Sequence, residues 1–150
     1  MYSLGNALTN PFWVVTFSLA LSGWLITFIG SIFHNVYYGP LYPKFYWWGV
    51  VYELLITMAI IHAVLSDRIY MYQSSLVGLV SIAAIYTTTN ANQFVWGESW
   101  SAGMAAGGYI ILSIVNFCWI VFLGTTNDEP LHHCIRKGVY RRRNGMKQIQ

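Results

Sequence analysis

The chain has 150 residues, of which 56% are hydrophobic, 17% aromatic and 9% charged, with a formal net charge of +3. A water-soluble domain carries roughly 25% charged residues, so the composition excludes a water-exposed globule and points to an all-α integral membrane protein. At about 20 apolar residues per bilayer crossing plus connections, the length predicts four transmembrane helices in an antiparallel bundle and no separate soluble domain.

Residues 1–11 are short, uncharged and turn-rich, and are expected as a cytoplasmic N-terminus. Asn10-Pro11 suits a helix start, because proline in the first turn gives up an N–H that has no intrahelical partner. The hydrophobic stretch that follows is too long for a signal-peptide core and lacks a basic flank, so it is expected to be retained as the first span, 12–33. Ser22, Gly23 and Gly30 give that span a small-residue face. Trp13 lies near one boundary, where indoles favour the interface. Trp24 is deeper and is expected against protein rather than lipid. A loop is expected from His34 to Phe45, broken by Gly39-Pro40 and Pro43. Tyr37, Tyr38, Tyr42, Tyr46, Trp47 and Trp48 form an aromatic belt in and beside it.

The second span, 47–66, carries an acid and a base, Glu53 and His62. A carboxylate inside a span is costly unless paired or near water. Nine residues rotate a helix by about 180°, so Glu53 and His62 face opposite ways and form no proton relay on this helix. Glu53 is expected in structural hydrogen bonding near the interface and His62 as a packing residue. Asp67-Arg68 makes a short turn. The third span, 70–89, frays into Thr87-Thr88-Thr89-Asn90, and a polar loop with Glu98 between Trp96 and Trp100 leads to the fourth span, 102–123. At helical spacing, Ala102, Ala106, Tyr109, Ser113 and Asn116 share one face of this last helix. Gly103, Gly107, Ile110 and Ile114 form a neighbouring stripe. Small residues leave a groove where a second helix can approach; the first reading is packing within the bundle alone, the second that one stripe closes the bundle while the other is open to a partner.

Lysine and arginine are strongly one-sided. The tail, 125–150, holds Arg136, Lys137, Arg141, Arg142, Arg143 and Lys147, and the turn after the second span holds Arg68; the other side has Lys44 alone. Under the positive-inside rule both termini face the cytoplasm. The basic tail is suited to an anionic lipid surface, and Cys134 beside it is a candidate for palmitoylation. Cys118 and Cys134 make no disulfide framework. There is no phosphate-binding glycine loop, HExxH, CxxC or nucleophile elbow, and His132-His133-Cys134 is too local to argue for a metal. No enzyme activity, cofactor, nucleic acid or small-molecule substrate is expected. The expected partners are membrane lipids, a second copy of the chain, and other integral membrane proteins.

Three collinear stretches carry a resemblance. They are Asn10-Pro11-Phe12 with Ser22-Gly23-Trp24-Leu25-Ile26 and Ile29-Gly30-Ser31-Ile32; Pro43-Lys44-Phe45-Tyr46-Trp47-Trp48-Gly49-Val50-Val51-Tyr52-Glu53; and Tyr86-Thr87-Thr88-Thr89-Asn90 with the run from Ala105 to Ile120. Together they resemble the membrane domain of the fungal high-osmolarity sensor and adaptor family. The resemblance implies a plasma-membrane four-helix module that self-associates, binds mucin-like co-sensors and feeds an osmotic-stress MAP kinase cascade. Family members usually continue into a cytoplasmic linker and a C-terminal SH3 domain, which these 150 residues do not contain. The competing expectation is a small accessory subunit of a larger membrane complex, such as a cell-wall synthase or transporter.

Overall fold

A computed structural model describes residues 11–38, 45–66 and 69–125 of the chain. Four helices account for nearly all of them: α1 (Pro11–Tyr38), α2 (Phe45–Leu65), α3 (Ile69–Val95) and α4 (Trp100–Gly124). Three of these, α1, α2 and α4, are long and apolar enough to cross a membrane. Each helix packs antiparallel to its sequence neighbours, and α4 closes the ring against α1. Two pairs of helices face each other only across the diagonals, α1 with α3 and α2 with α4.

Both α2 and α4 run in the same direction, so the intervening α3 returns through the same depth. At 27 residues it spans about 40 Å. It falls below the apolar threshold because of its polar groups, and several of these are turned to use inside the bundle. Gln73 donates from its side-chain amide to the Leu123 carbonyl and, at 3.2 Å, to the Thr125 carbonyl. These are end-of-helix carbonyls of α4 that have no intrahelical donor. At the other end, Ser99 caps α4 by accepting from the Ala102 N–H at 3.2 Å.

Polar side chains from every helix lie inside the bundle among apolar ones, while large apolar side chains cover its outside. Thr27, Glu53, Asn90 and Asn116, one from each helix, are at most 1% exposed, whereas Val15, Leu55, Ile85 and Ile114 are 55%, 61%, 67% and 57% exposed. A water-soluble bundle would reverse this, because apolar surface is driven out of water. In a bilayer the lipid chains are as apolar as leucine, and buried polar groups must find partners among the helices. The arrangement is that of an all-α membrane bundle.

Two expected boundaries change. Helix α1 continues to Tyr38 through the stretch read as loop, since nothing before Gly39-Pro40 interrupts the hydrogen-bond ladder, and His34 is consequently buried. Helix α3 does not fray at Thr87. The Thr87 hydroxyl bonds back to the Ala83 carbonyl at 3.0 Å and the helix runs on to Val95, leaving a link of residues 96–99. Trp13 is also corrected: it sits in the core, stacked on Phe17 and edge-on to Phe122, rather than at an interface. Calls on 1–10, on the Asp67-Arg68 turn, and on Cys134, Arg136, Lys137, Arg141, Arg142 and Arg143 lie outside the described residues.

Candidate functional site

The bundle interior holds two side-chain rungs that join α2 to α4 across the diagonal. Near the end where both helices begin, the Tyr109 hydroxyl donates to the Tyr46 carbonyl at 2.9 Å. Ser31 of α1 and Asn90 of α3 flank that hydroxyl, so all four helices converge there. Asn90 lies against Gly49, where the Cβ of any larger residue would collide with its amide. Phe94 stacks on the Tyr109 ring at 5.9 Å between centroids, and His34 meets Phe94 edge-on at 5.1 Å.

Seven residues further along both helices, Asn116 Nδ2 donates to Glu53 Oε2 at 3.1 Å. Glu53 is therefore a buried member of the core, hydrogen-bonded to another helix. Thr57 and Trp119 are buried beyond it, one turn along α2 and α4 respectively. From α1, Trp24 Nε1 donates to the Val50 carbonyl at 2.9 Å, tying that helix to α2 between the two rungs and meeting protein, as expected.

The close contact between α1 and α4 is made by backbone. A Cβ at Gly30 would stand 2.7 Å from the Ala105 nitrogen, one at Gly23 2.9 Å from Ile111 Cγ2, and one at Gly108 2.8 Å from the Gly23 carbonyl oxygen. Only glycine allows the axes this near, and the gain is dispersion contact that lipid would otherwise supply.

The small residues picked out from sequence divide into two sets. Gly23, Gly30, Ala102, Ala106 and Asn116 are buried, and Ser113 is half-buried with its hydroxyl 3.0 Å from Thr87 Oγ1 on α3. Gly103 and Gly107 meet nothing: a Cβ at either has no neighbour within 4 Å. They continue into Ile110 and Ile114, 45% and 57% exposed, so the stripe lies on the outer side of α4, with Gly107 half-buried within it. Ser22 is also outward, its hydroxyl bonding to its own helix at the Ser18 carbonyl, 2.8 Å away. His62 is corrected. It is exposed at the end of α2 with its Nε2 3.5 Å from Ser66 Oγ, because its position rotates it away from the face that carries Glu53.

Sequence reasoning missed Ala105 and Gly108, the residues of α4 that contact α1. Their signal was present as the second small-residue spacing beside Gly103 and Gly107. Among the described residues, no group of three His, Cys, Asp or Glu side chains comes together to hold a metal. What the interior is built to do is fix helices against one another.

Comparison with known proteins finds relatives of part of their length. The chain is 37% identical over 134 residues, 89% of its length, to the high osmolarity signaling protein SHO1 of Cyberlindnera jadinii. It is 34% identical over 134 residues to the protein of the same name in Lachancea thermotolerans, and 37% identical over 123 residues to that of Komagataella phaffii. The chain is similar to part of these high osmolarity signaling proteins. It spans less than half the length of these relatives, covering 45%, 39% and 44% of them respectively. No family model and no solved structure matches it. The features that the structure singles out in this chain are the small residues between α1 and α4 and the Glu53–Asn116 rung.

Proposed function

We propose that the chain is the membrane module of an osmotic-stress sensor and adaptor. It sits in the plasma membrane with both termini cytoplasmic, and it acts by association with copies of itself and with other integral membrane proteins rather than by catalysis. The observation that carries this reading is the extended likeness to proteins named for high-osmolarity signalling. Orientation is supported by the concentration of lysine and arginine at Arg68 and in the tail, against Lys44 alone on the other side. The basic residues Arg136, Lys137, Arg141, Arg142 and Arg143 then lie over an anionic leaflet, with Cys134 available for acylation.

Self-association is assigned to the outward stripe of Gly103, Gly107, Ile110 and Ile114. It combines a shallow floor with aliphatic walls and no side chain of its own bundle covering it. The buried set, Gly23, Gly30, Ala102, Ala106, Ser113 and Asn116, holds the monomer together and leaves that stripe at the surface. Paired Gly103→Leu and Gly107→Leu substitutions are expected to lower the native mass of the detergent-solubilised protein without unfolding the helices. An unchanged mass would sink the assignment. The signalling role is tested in cells lacking the chain, where phosphorylation of the osmotic-stress MAP kinase after hyperosmotic shock is expected to fall. Purification at native abundance separates this role from that of an accessory subunit, which would elute stoichiometrically with one much larger membrane complex.

A further inference from the structure

The Glu53–Asn116 rung is incomplete as a carboxylate–amide contact. One hydrogen bond is made, Nδ2 to Oε2, and each group retains a buried oxygen without a donor, Glu53 Oε1 and Asn116 Oδ1. The polar groups one turn further along, Thr57 and Trp119, make no hydrogen bond and so donate to neither oxygen. The titratable groups that face Glu53 are Tyr109 from α4 and Tyr52 on its own helix, with Tyr86 of α3 beyond Tyr52. The described part of α1 offers no lysine, arginine or carboxylate, and its His34 lies at the level of Tyr46, about 10 Å away along the bundle. No cation among the described residues stands near this carboxyl.

A carboxylate fixed there would be a whole negative charge inside a membrane bundle, compensated by one neutral amide. Burying an unpaired charge costs several kcal/mol after relaxation, more than one hydrogen bond to a charged group returns, about 1.5–3 kcal/mol. A single proton satisfies both orphaned oxygens of the rung at once. Placed on Oε1 it removes the charge, turns that oxygen into a donor and gives Asn116 Oδ1 the partner it lacks. The carboxyl and the carboxamide, each with one donor and one acceptor, then close a ring of two hydrogen bonds.

We propose that Glu53 is held as the uncharged carboxylic acid at neutral pH, doubly hydrogen-bonded to Asn116, and that this proton-dependent pair is the pin that fixes α2 to α4 at the middle of the bundle. The assignment rests on the contact and its orphaned atoms, and it is independent of whether the chain signals osmotic stress.

The proton is read by infrared spectroscopy of the purified protein in lipid at neutral pH. The expected result is a carbonyl stretch of a protonated, hydrogen-bonded carboxyl that shifts on labelling glutamate with carbon-13 and is absent in Glu53→Gln. Labelling requires no variant, so the readout survives if a substitution fails to fold. The label marks three glutamates, Glu53, Glu98 and Glu129, so the band is also expected to persist in the double variant Glu98→Gln with Glu129→Gln, which leaves Glu53 in place. Glutamine keeps one donor and one acceptor at the same place, so Glu53→Gln is expected to retain the wild-type unfolding midpoint, while Glu53→Leu lowers it. Raising the pH well into the alkaline range is expected to lower the wild-type midpoint towards that of Glu53→Leu and to leave Glu53→Gln flat. No protonated-carboxyl band in labelled wild type, or a wild type as flat in pH as Glu53→Gln, would overturn the proposal.

Discussion

The two ends of the bundle solve the same problem with different chemistry. Where α2 and α4 finish, the interior is bulk: Trp13, Ile56, Ile60, Val80, Val115, Trp119 and Leu123 form one cluster, edged by Phe12, Phe17 and Phe122. Where they begin, the interior is small and polar: Ala102, Ala105, Ala106 and Tyr109 pack with Tyr46, Ala91 and Phe94, beside Gly30, Ser31 and Asn90. One end holds by filling space with side chains. The other brings backbones together and spends its polar groups on one another. In lipid, helices gain nothing from hiding apolar surface from water, so both strategies reduce to dispersion contact and hydrogen bonding. The difference teaches that the bulky end tolerates a change of shape better than the small end tolerates a change of size.

The comparison breaks most sharply at Trp119. Trp119→Ala is expected to destabilise by about 3–5 kcal/mol, the cost of losing a large buried side chain and leaving a cavity. Reversible unfolding in detergent mixtures measures it. At the small end, Gly108→Leu forces bulk against the backbone of Thr27 and is expected to cost about 1–3 kcal/mol by overpacking, more if α1 is displaced. Tyr109→Phe removes only the rung to Tyr46, and a hydrogen bond of that kind inside a membrane bundle contributes about 0.6 kcal/mol on average. Gly103→Leu is the smallest effect, within about 0.5 kcal/mol for the monomer, since the position is open. A Gly108→Leu variant as stable as Gly103→Leu would erase the distinction between the inward and outward small residues.

The sequence carries the fold class plainly, because so few charges over four long apolar runs admit few alternatives. The inward face of α4 was legible as well: Ala102, Ala106, Tyr109 and Asn116 follow helical spacing, and all four are buried. Which small stripe meets α1 was not legible. Gly103–Gly107 and Ala105–Gly108 are both close-packing patterns, and the rotation of α4 that chooses between them is set by α1 and α3 together. The Glu53–Asn116 contact joins residues 63 positions apart, and no local pattern in either helix announces the other. His34 was misplaced because aromatic neighbours suggest an interface, while the helix that buries it runs on to Tyr38.

The two rungs have a mechanical consequence. Tyr46–Tyr109 and Glu53–Asn116 have the same sequence separation, 63 residues, so they lie at matching heights on helices running the same way. A piston-like displacement of α2 along α4 shifts both out of line together, and even one residue of slip is about 1.5 Å. Rocking about either rung stretches only the other. Any movement transmitted lengthwise through this bundle is therefore stiff in translation and softer in tilt, like a hinge with two knuckles rather than a slide.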